Sequence, residues 1–330
     1  MSDTNPMSDT AAEIASQLAW IAVDWGSSNL RAWRLDKHDH VIAQASSDKG
    51  MLSLTPDQYE AELLHLIGEW LPGSGQIEVM VCGMAGARQG WQEAAYLPVP
   101  TRLDQLTQGA VLPTLAGAQL RVYLLPGLSQ TRSASSHLDV MRGEETQLAG
   151  LVAETPAFSG LACLPGTHAK WATLESGAVT QFTTYLTGEL YQLLARQSVL
   201  QHSVGSDDLN NSACRDAFIS AVSEINDAPE TFSSRLFGLR AQDLLDGRLP
   251  SGKARAAVLS ARLSGLTIGL ELAGTCHDRA NGEPITLIGN KELCYRYTLA
   301  LNTIGFQTQY LEGDVAVLAG LRLAYQALKA

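Results

Sequence analysis

A polar segment near the start of the chain, Asp24–Arg31, contains residue types that bind phosphate in proteins. It follows an apolar run, Trp20–Val23, and has the sequence Asp-Trp-Gly-Ser-Ser-Asn-Leu-Arg. Gly26 allows the backbone to turn, so that successive N–H groups and the hydroxyls of Ser27 and Ser28 can surround phosphate oxygens. A second run typical of a strand follows, whereas a helix follows the Gly-rich loops of other nucleotide sites. The sequence therefore predicts a phosphate-binding hairpin.

Two charged residues of this segment could complete a catalytic phosphate site. Asp24 comes at the end of the first predicted strand, where its carboxylate could hold Mg²⁺ directly or through water. Arg31 begins the next strand and could reach charge that develops on a transferred group. A plain hairpin, in which Asp and Ser side chains satisfy turn hydrogen bonds, explains the same residues, and such turns are common.

A second segment that combines glycine with a hydroxyl residue, Pro165–Lys170, lies in the second half of the chain. Gly166 and Thr167 could bind the other side of a triphosphate, with His168 and Lys170 close by. His168 taken alone is more often a hydrogen-bonded structural residue than a catalyst. Two phosphate hairpins that face each other are hard to explain by coincidence, so the pair predicts an ATP site.

The elements around the two hairpins follow the same order. Trp20–Ala45 and Leu161–Thr184 each have the pattern of a strand, a polar loop, a strand, a tight turn and a strand. A repeated supersecondary unit predicts a duplicated architecture with the ligand between the two halves. A helix is predicted over Thr55–Leu71, with Thr55 as its N-cap and Pro56 as its first residue.

The length of 330 residues predicts two domains, because a single hydrophobic core rarely grows so large. The segment Ser129–Ser136 is rich in small polar residues and predicts the boundary. We expect a disordered tail over 1–19, an N-terminal domain over 20–135 and a C-terminal domain over 136–330. The last predicted helix, from about Val315 to Leu328, either stays with the second domain or packs back on the first.

Composition and charge exclude several function classes. The chain is 45% hydrophobic and 17% charged, with a formal net charge of −11. We expect no nucleic-acid partner, because phosphate backbones require a basic surface. Five cysteines without close spacing argue against a disulfide framework or a zinc site.

The sequence also predicts a cytoplasmic protein with no membrane partner. Its start lacks the basic and apolar regions of a signal peptide. The most apolar long stretch, Ala256–Ala273, is interrupted by Arg262 and Glu271 and is therefore not expected to span a bilayer. The pattern leaves a homodimer open.

The two hairpins resemble the first and second phosphate motifs of the actin-like ATPase superfamily, which includes sugar kinases. Ile285–Asn290 resembles the adenosine motif of that superfamily, a buried strand that ends in glycine before a helix. The resemblance implies an α/β fold of two actin-like, ribonuclease H-like domains, each a mixed sheet with flanking helices, and a ligand cleft between them. It also implies nucleotide contacts at Gly289 and Asn290.

A larger set of motifs is similar to the 2-dehydro-3-deoxygalactonokinase family. The segments are Val23–Gly26, Cys82–Trp91, Met141–Gln147, Leu164–Trp171 and Tyr185–Glu189. They occur in consistent order from about Trp20 to the C-terminus. The resemblance implies transfer of the ATP γ-phosphate to the 6-hydroxyl of 2-dehydro-3-deoxy-D-galactonate, in galactonate catabolism.

Two positions depart from the family's pattern. Ser27 stands where the family often has threonine, and either residue supplies a hydroxyl. Ala87 stands where serine is common, so a hydroxyl contact to the substrate at that position is not expected.

The loop that follows the predicted strand Ile77–Cys82 is the expected substrate loop, since ligand residues of α/β folds lie at the ends of strands. Arg88 could hold a carboxylate with two hydrogen bonds, and Gln89 could contact hydroxyls. Met84 and Trp91 are further candidate substrate contacts. A surface arginine and a tryptophan that packs a turn would explain the same residues.

The candidate general base lies in the turn Arg142–Glu145. Sugar kinases of the superfamily generally use an aspartate in a Gly-Asp turn before a helix, so the resemblance implies Glu144 as the base and Glu145 as its substitute. Acidic residues are also favoured in the first turn of a helix by the macrodipole, without any catalytic role. Arg142 could contribute to catalysis or bind phosphate or a carboxylate.

Three other functions fit part of the sequence. The first is a kinase of the same fold for another sugar or sugar acid, such as 2-dehydro-3-deoxygluconate. The second is a sugar-sensing protein without catalysis, although the short acidic tail has no room for a DNA-binding helix pair. The third is a chaperone-like or actin-like ATPase, but no segment after the adenosine-like motif could form a peptide-binding domain.

Overall fold

A computed structural model of the chain describes residues 18–131, 137–276, 282 and 284–330. The predicted tail over 1–19 therefore lies mostly outside the described residues, as does the end of the predicted boundary segment Ser129–Ser136. The chain divides into two compact units. The first contains the described residues up to Ser159 together with Leu174–Gln181 and Asp314–Ala330, and the second contains Gly160–Thr173 and Phe182–Gly313.

The chain alternates strands and helices along most of its described length. The strands are β1 (Trp20–Trp25), β2 (Leu30–Leu35), β3 (Val41–Ser47), β4 (Ile77–Gly83), β5 (Tyr96–Pro98), β6 (Thr101–Arg102), β7 (Leu120–Leu124), β8 (Gly127–Gln130), β9 (Asp139–Met141), β10 (Gly160–Leu164), β11 (Ala169–Glu175), β12 (Ala178–Tyr185), β13 (Ile285–Gly289) and β14 (Thr308–Glu312). The α-helices are α1 (Tyr59–Ile67), α2 (Glu144–Glu154), α3 (Thr187–Gln197), α4 (Ser212–Asp227), α5 (Phe232–Leu245), α6 (Gly252–Cys276), α7 (Lys291–Thr303) and α8 (Gly313–Lys329).

The main sheet of the first unit has the strand order β3-β2-β1-β4-β7. β1, β2 and β3 form an antiparallel meander, which confirms the sequence prediction. β4 and β7 join this meander in parallel, β4 beside β1 and β7 beside β4. The parallel register pairs Asp24 with Cys82 and Trp25 with Gly83, so the carboxyl ends of β1 and β4 meet at one edge of the sheet.

The sheet that runs through the second unit repeats this order. Its sequence of neighbours is β14-β13-β10-β11-β12-β6, so β12, β11, β10, β13 and β14 correspond to the five strands of the first sheet. β13 pairs in parallel with β10 and β14. The short connections from β10 to β11 and from β11 to β12 require antiparallel pairing, since a parallel crossover needs a dozen or more residues. The expected fold class, a duplicated α/β domain of ribonuclease H-like topology, is confirmed.

The first helix begins as predicted but is shorter. A 3₁₀ turn over Pro56–Gln58 precedes α1, and Thr55 and Gln58 form a capping box at its start. A second 3₁₀ turn, Gly68–Trp70, follows α1. The predicted N-cap and first residue are therefore confirmed, while the α-helix itself covers only the middle of the predicted range.

The last helix packs within the first unit. A side chain at Gly150 in α2 would collide with the backbone of Ala316, and one at Gly320 would collide with that of Thr146. α2 and α8 therefore approach so closely that only glycine fits at these positions. Near the end of α8, the Tyr325 ring stacks on Trp20 with ring centroids 4.3 Å apart.

The core of the second unit is built around α6. By length and composition alone this helix could cross a membrane, but 78% of its most apolar window is buried inside the protein. A side chain at Gly265 would collide with the backbone of Phe218, so α6 lies in direct contact with α4. The burial explains the apolar composition as that of a core helix.

Glu271 is a carboxylate buried within that core. It accepts hydrogen bonds from Trp171 Nε1 at 2.6 Å and from the Tyr297 hydroxyl at 2.8 Å. Burial raises the pKa of Glu271, and hydrogen bonds from Thr187, Trp171 and Tyr297 partly oppose that rise. Glu271 thus connects β11, α3 and α7 through α6.

We expect Glu271→Leu to lower the free energy of unfolding of the second unit by about 2–5 kcal/mol, because it removes the acceptor of the buried donors Trp171, Tyr297 and Thr187. Glu271→Gln should cost less than half as much, since its amide can accept from Trp171 and donate to the Tyr297 hydroxyl. Urea unfolding followed by tryptophan fluorescence measures both values. Equal losses for the two variants would contradict the role of the hydrogen bonds.

Candidate active site

The first predicted phosphate hairpin is a tight turn between β1 and β2. The N–H of Gly26 donates to the carbonyl of Asn29 at 2.8 Å, which closes the turn. Ser27, Ser28 and Asn29 are exposed, so their polar groups are available to a ligand. These residues line a cavity of about 760 Å³ together with Asp24 and Arg31.

The segment Lys49–Leu52, called the brace below, holds this turn through backbone hydrogen bonds and was not predicted from the sequence. The N–H groups of Gly50, Met51 and Leu52 donate to the carbonyls of Ser28, Gly26 and Ser27, respectively. The Lys49 carbonyl accepts from Trp25 Nε1 at 3.0 Å.

Gly50 is the critical position of that brace. A Cβ on Gly50 would collide with the backbone of Ser27 and Ser28, so only glycine allows the two segments to approach. The Asp-Lys-Gly sequence before Met51 is the signal that could have indicated a second turn beside the phosphate loop.

Asp24 and Arg31 lie together at the base of the hairpin. Arg31 Nη2 donates to Asp24 Oδ2 at 2.6 Å, and Arg31 Nη1 donates to Asp314 at the start of α8. The Asp24 side chain is 18% exposed and that of Asp314 is 58% exposed. Asp314 was not predicted, because its proximity depends on the packing of α8. Arg31 is thus held between two carboxylates.

The buried side of Asp24 faces a thiol. Cys82 Sγ lies 3.8 Å from Asp24 Oδ1. Burial, and after it the negative charges of Asp24 and Glu145, raises the pKa of the Cys82 thiol. Cys82 therefore remains a neutral thiol between the two carboxyl groups.

The two predicted acids of the turn before α2 have different environments. Glu145 is fully buried, accepting from the N–H of Gly143 at 2.6 Å and from the Thr146 hydroxyl at 3.0 Å. Burial, with the charge of Glu144 as the next cause, raises the pKa of Glu145 to about 8. Glu144 is only half-buried, and its Oε2 accepts from the N–H of Arg142 at 3.1 Å.

Arg142 is buried and contacts the chain just after the predicted substrate loop, Gly83–Trp91. Its Nη2 donates to the carbonyl of Ala94 at 2.6 Å, and its guanidinium lies 4.3 Å from the ring centroid of Tyr96. The side chain therefore ties the turn before α2 to the chain that follows that loop.

The predicted substrate residues divide into exposed and packed side chains. Arg88 is 80% exposed, with its Nε 3.4 Å from Glu93 Oε1. Gln89 is also exposed, whereas Met84 is half-buried. Trp91 stacks on Tyr59 with ring centroids 5.9 Å apart, the contact expected of a tryptophan that packs a turn.

The second predicted phosphate hairpin joins β10 and β11. The carbonyl of Thr167 accepts from the N–H of Glu189 at 3.0 Å, so the first turn of α3 holds the loop. His168 Nε2 lies 2.7 Å from Glu189 Oε2, and both side chains are about half exposed. Lys170 is buried, and its Nζ donates to the Thr184 hydroxyl at 2.8 Å.

The adenosine-like motif has the expected strand, glycine and helix. Asn290 is the N-cap of α7, where its side-chain oxygen accepts from the N–H groups of Glu292 and Leu293. The carbonyl of Gly289 accepts from the Tyr310 hydroxyl at 3.1 Å.

A cavity of about 310 Å³ lies inside the second unit, beside the second hairpin. Gly166 and Thr167 line it, as do side chains from α3, α6 and α7, whereas Gly289 and Asn290 do not. The lining residues on these helices were not predicted from the sequence, because the helices are far apart in the chain.

The structure thus gathers the predicted residues into two groups. Asp24, Gly26, Ser27, Ser28 and Arg31 form one group in the first unit, with the turn Arg142–Glu145 behind Asp24. Gly166 and Thr167 line the cavity of the second unit. Within residues 18–131, 137–276, 282 and 284–330, no group of three or more His, Cys, Asp or Glu residues is arranged to hold a metal ion.

Comparisons with known proteins match this chain to one family over nearly its whole length. The model of the 2-keto-3-deoxy-galactonokinase family matches residues 24–324. A protein of Rhizobium meliloti (strain 1021) assigned as a 2-dehydro-3-deoxygalactonokinase is 38% identical over 94% of this chain and 97% of its own length. The 2-dehydro-3-deoxygalactonokinase of Escherichia coli (strain K12) is 35% identical over 92% of this chain and 96% of its own.

A solved structure of a protein assigned to the same family is also similar to this chain. The crystal structure of a Sinorhizobium meliloti protein assigned as a 2-dehydro-3-deoxygalactonokinase superposes with a TM-score of 0.83 and 36% identity. The match covers 94% of this chain and 99% of that one.

We expect the buried carboxyl of Glu145 to make stability fall as the pH rises. Because its pKa is raised from 4.5 to about 8, the unfolded chain ionises between these values while the folded protein does not. Glu145→Gln removes this dependence, so its stability relative to wild type should improve by about 3 kcal/mol between pH 5 and pH 8. Urea unfolding at several pH values measures the difference, and parallel curves would contradict the buried neutral acid.

Proposed function

The chain belongs to the 2-keto-3-deoxy-galactonokinase family, and we propose that it transfers the γ-phosphate of ATP to the 6-hydroxyl of 2-dehydro-3-deoxy-D-galactonate. The product is the 6-phosphate, formed in galactonate catabolism. The observation that carries the proposal is the family match over residues 24–324, which includes every predicted motif from Asp24 to the adenosine-like segment. The exposed hydroxyls and turn N–H groups around Ser27 and Ser28 supply the phosphate-binding chemistry that such a reaction needs.

Mg²⁺ fits the residues around Asp24. This cation is usually held by one or two carboxylates, with phosphates and water as the remaining ligands, so no cluster of three protein ligands is required. Asp24 supplies one partly exposed carboxylate beside the phosphate turn. When bound, Mg²⁺ would neutralise charge on the phosphates.

Arg31 is paired with that carboxylate. Its two ion pairs fix the guanidinium beside the turn, where it could stabilise charge on the phosphoryl group during transfer. Gly50 contributes indirectly, since the brace keeps the turn's N–H groups and hydroxyls in position.

Glu144 is the proposed general base. Its half-buried side chain can receive a proton from a substrate hydroxyl, whereas Glu145 is fully buried and, with a pKa of about 8, mostly protonated at neutral pH. Arg142 positions the turn through its contacts with Ala94 and Tyr96.

The loop after β4 is the proposed site for the sugar acid. Arg88 is exposed and only loosely paired with Glu93, so it can turn to the substrate carboxylate and bind it with two hydrogen bonds. Gln89 would contact hydroxyls. Met84 and Trp91 would shape the apolar side of the site.

A substrate panel tests the proposed function. We expect ATP-dependent phosphorylation of 2-dehydro-3-deoxy-D-galactonate with a kcat/KM at least about tenfold above that of its C4 epimer, a difference of about 1.4 kcal/mol in transition-state binding. Galactose, which lacks the carboxylate, serves as the neutral comparison. A coupled assay of ADP release measures all three. An equal or higher kcat/KM for galactose would contradict a sugar-acid kinase.

We expect Glu144→Gln to lower kcat by about 10²–10⁴, the usual contribution of a general base. The dissociation constant for ATP should stay unchanged, because phosphoryl transfer depends on positioning that this substitution leaves intact. Steady-state kinetics and calorimetric titration with ATP measure the two quantities. Turnover near that of wild type would contradict the assignment, and Glu154→Gln at the other end of α2 is the matched control.

A further inference from the structure

We propose that the ion pair between Asp207 and Arg296 reads the edge of the nucleotide's base and makes the enzyme prefer adenine. The proposal rests on the kinase function above, because it places the nucleoside in the cavity of the second unit. It assigns base recognition to residues that neither the phosphate hairpins nor the adenosine-like motif contain.

The cavity has the size and position expected for a nucleoside. Its volume of about 310 Å³ lies at the lower end of the range for small-ligand sites. Gly166 and Thr167 of the second phosphate hairpin belong to its lining. A nucleotide with phosphates at this hairpin would therefore extend its ribose and base into the cavity.

Two tyrosines give the cavity aromatic walls. The Tyr191 hydroxyl is 2.7 Å from Ser260 Oγ, and the Tyr297 hydroxyl donates to Glu271. Neither Ser260 nor Glu271 is among the lining residues. Because both hydroxyls are engaged behind the wall, the rings are left to contact the flat face of a base.

Asp207 and Arg296 are the charged side chains of this lining. Arg296 Nη1 donates to Asp207 Oδ2 at 2.8 Å, and the same nitrogen lies 3.4 Å from Ser264 Oγ. The Arg296 side chain is 22% exposed and the Asp207 side chain is 8% exposed. Among the described residues, no hydrogen bond is made to Oδ1 of Asp207.

The free atoms of this pair match adenine. The exocyclic amine of adenine donates hydrogen bonds, and its ring nitrogens accept them. A carboxylate oxygen can accept from the amine while the remaining guanidinium N–H groups donate to a ring nitrogen. Hypoxanthine, the base of inosine nucleotides, carries a carbonyl oxygen in place of that amine, so two hydrogen-bond acceptors would face each other with no proton between them.

Direct binding of ADP and IDP tests the proposal independently of the sugar substrate. We expect wild type to bind ADP at least about tenfold more tightly than IDP, since a hydrogen bond to a charged group is typically worth that factor or more. Asp207→Asn should reduce the preference to less than about threefold, because its amide can donate to the inosine oxygen. Isothermal titration calorimetry gives both constants.

Asp208→Asn is the matched control. Asp208 is the next residue in the chain and lines the neighbouring cavity with Asn210 and Glu292, but it does not line this one. The control should keep the wild-type preference. Arg296→Lys retains the positive charge and a partner for Asp207, so it should bind both nucleotides more weakly while Asp207 still favours ADP.

Three results would overturn the proposal. One is equal affinity of wild type for ADP and IDP, and another is an unchanged preference in a folded Asp207→Asn variant. The third is an Asp207→Asn variant that changes the ratio between ADP and 2′-deoxy-ADP alone, since the pair would then read the ribose. If Asp207→Asn fails to fold, the wild-type ratio and the Arg296→Lys variant decide. Failure of the kinase proposal would appear instead as ADP binding without phosphorylation of any sugar acid.

Discussion

The parallel pairing of β1 with β4 is the constraint on which the first unit's candidate site depends. It brings the ends of two buried strands together, so that Asp24 lies beside Cys82 and the predicted substrate loop begins next to the predicted phosphate turn. A carboxylate at a strand end keeps a partly exposed face while the strand behind it is fixed by the sheet. Arg31 and the turn before α2 are both arranged around that carboxylate.

The two adjacent acids Glu144 and Glu145 differ because burial, rather than residue type, determines whether a carboxyl group is ionised. Glu144 and Glu145 are adjacent in sequence and begin the same helix, yet only Glu145 is fully buried. Burial raises its pKa to about 8, so that the group is mostly neutral at physiological pH. A second ionised carboxylate at that depth would cost several kcal/mol, so the neutral form is the one that the packed site can hold.

The second unit has the same strand order, but different segments hold its turn in place. Its predicted phosphate turn is held by the start of α3, whereas Lys49–Leu52 holds the corresponding turn in the first unit. Its cavity is lined by three helices, and Glu271 fixes Trp171 and Tyr297 from within the core. The same strand order is thus surrounded by different side chains in the two units, because different segments follow the strands.

The sequence alone determined the duplicated strand order, both glycine turns and the capped start of the first helix, because these depend on local propensity and apolar periodicity. It also determined the family, since the motifs keep their order along nearly the whole chain. Tertiary structure decided which groups meet: Gly50 behind Ser27 and Ser28, Asp314 on Arg31, and Asp207 with Arg296. These contacts join residues far apart in the chain, and the packing that creates them leaves no local pattern. The turn at Asp24–Arg31 could therefore be predicted from the sequence, whereas its contacts with Lys49–Leu52 and with Asp314 could not.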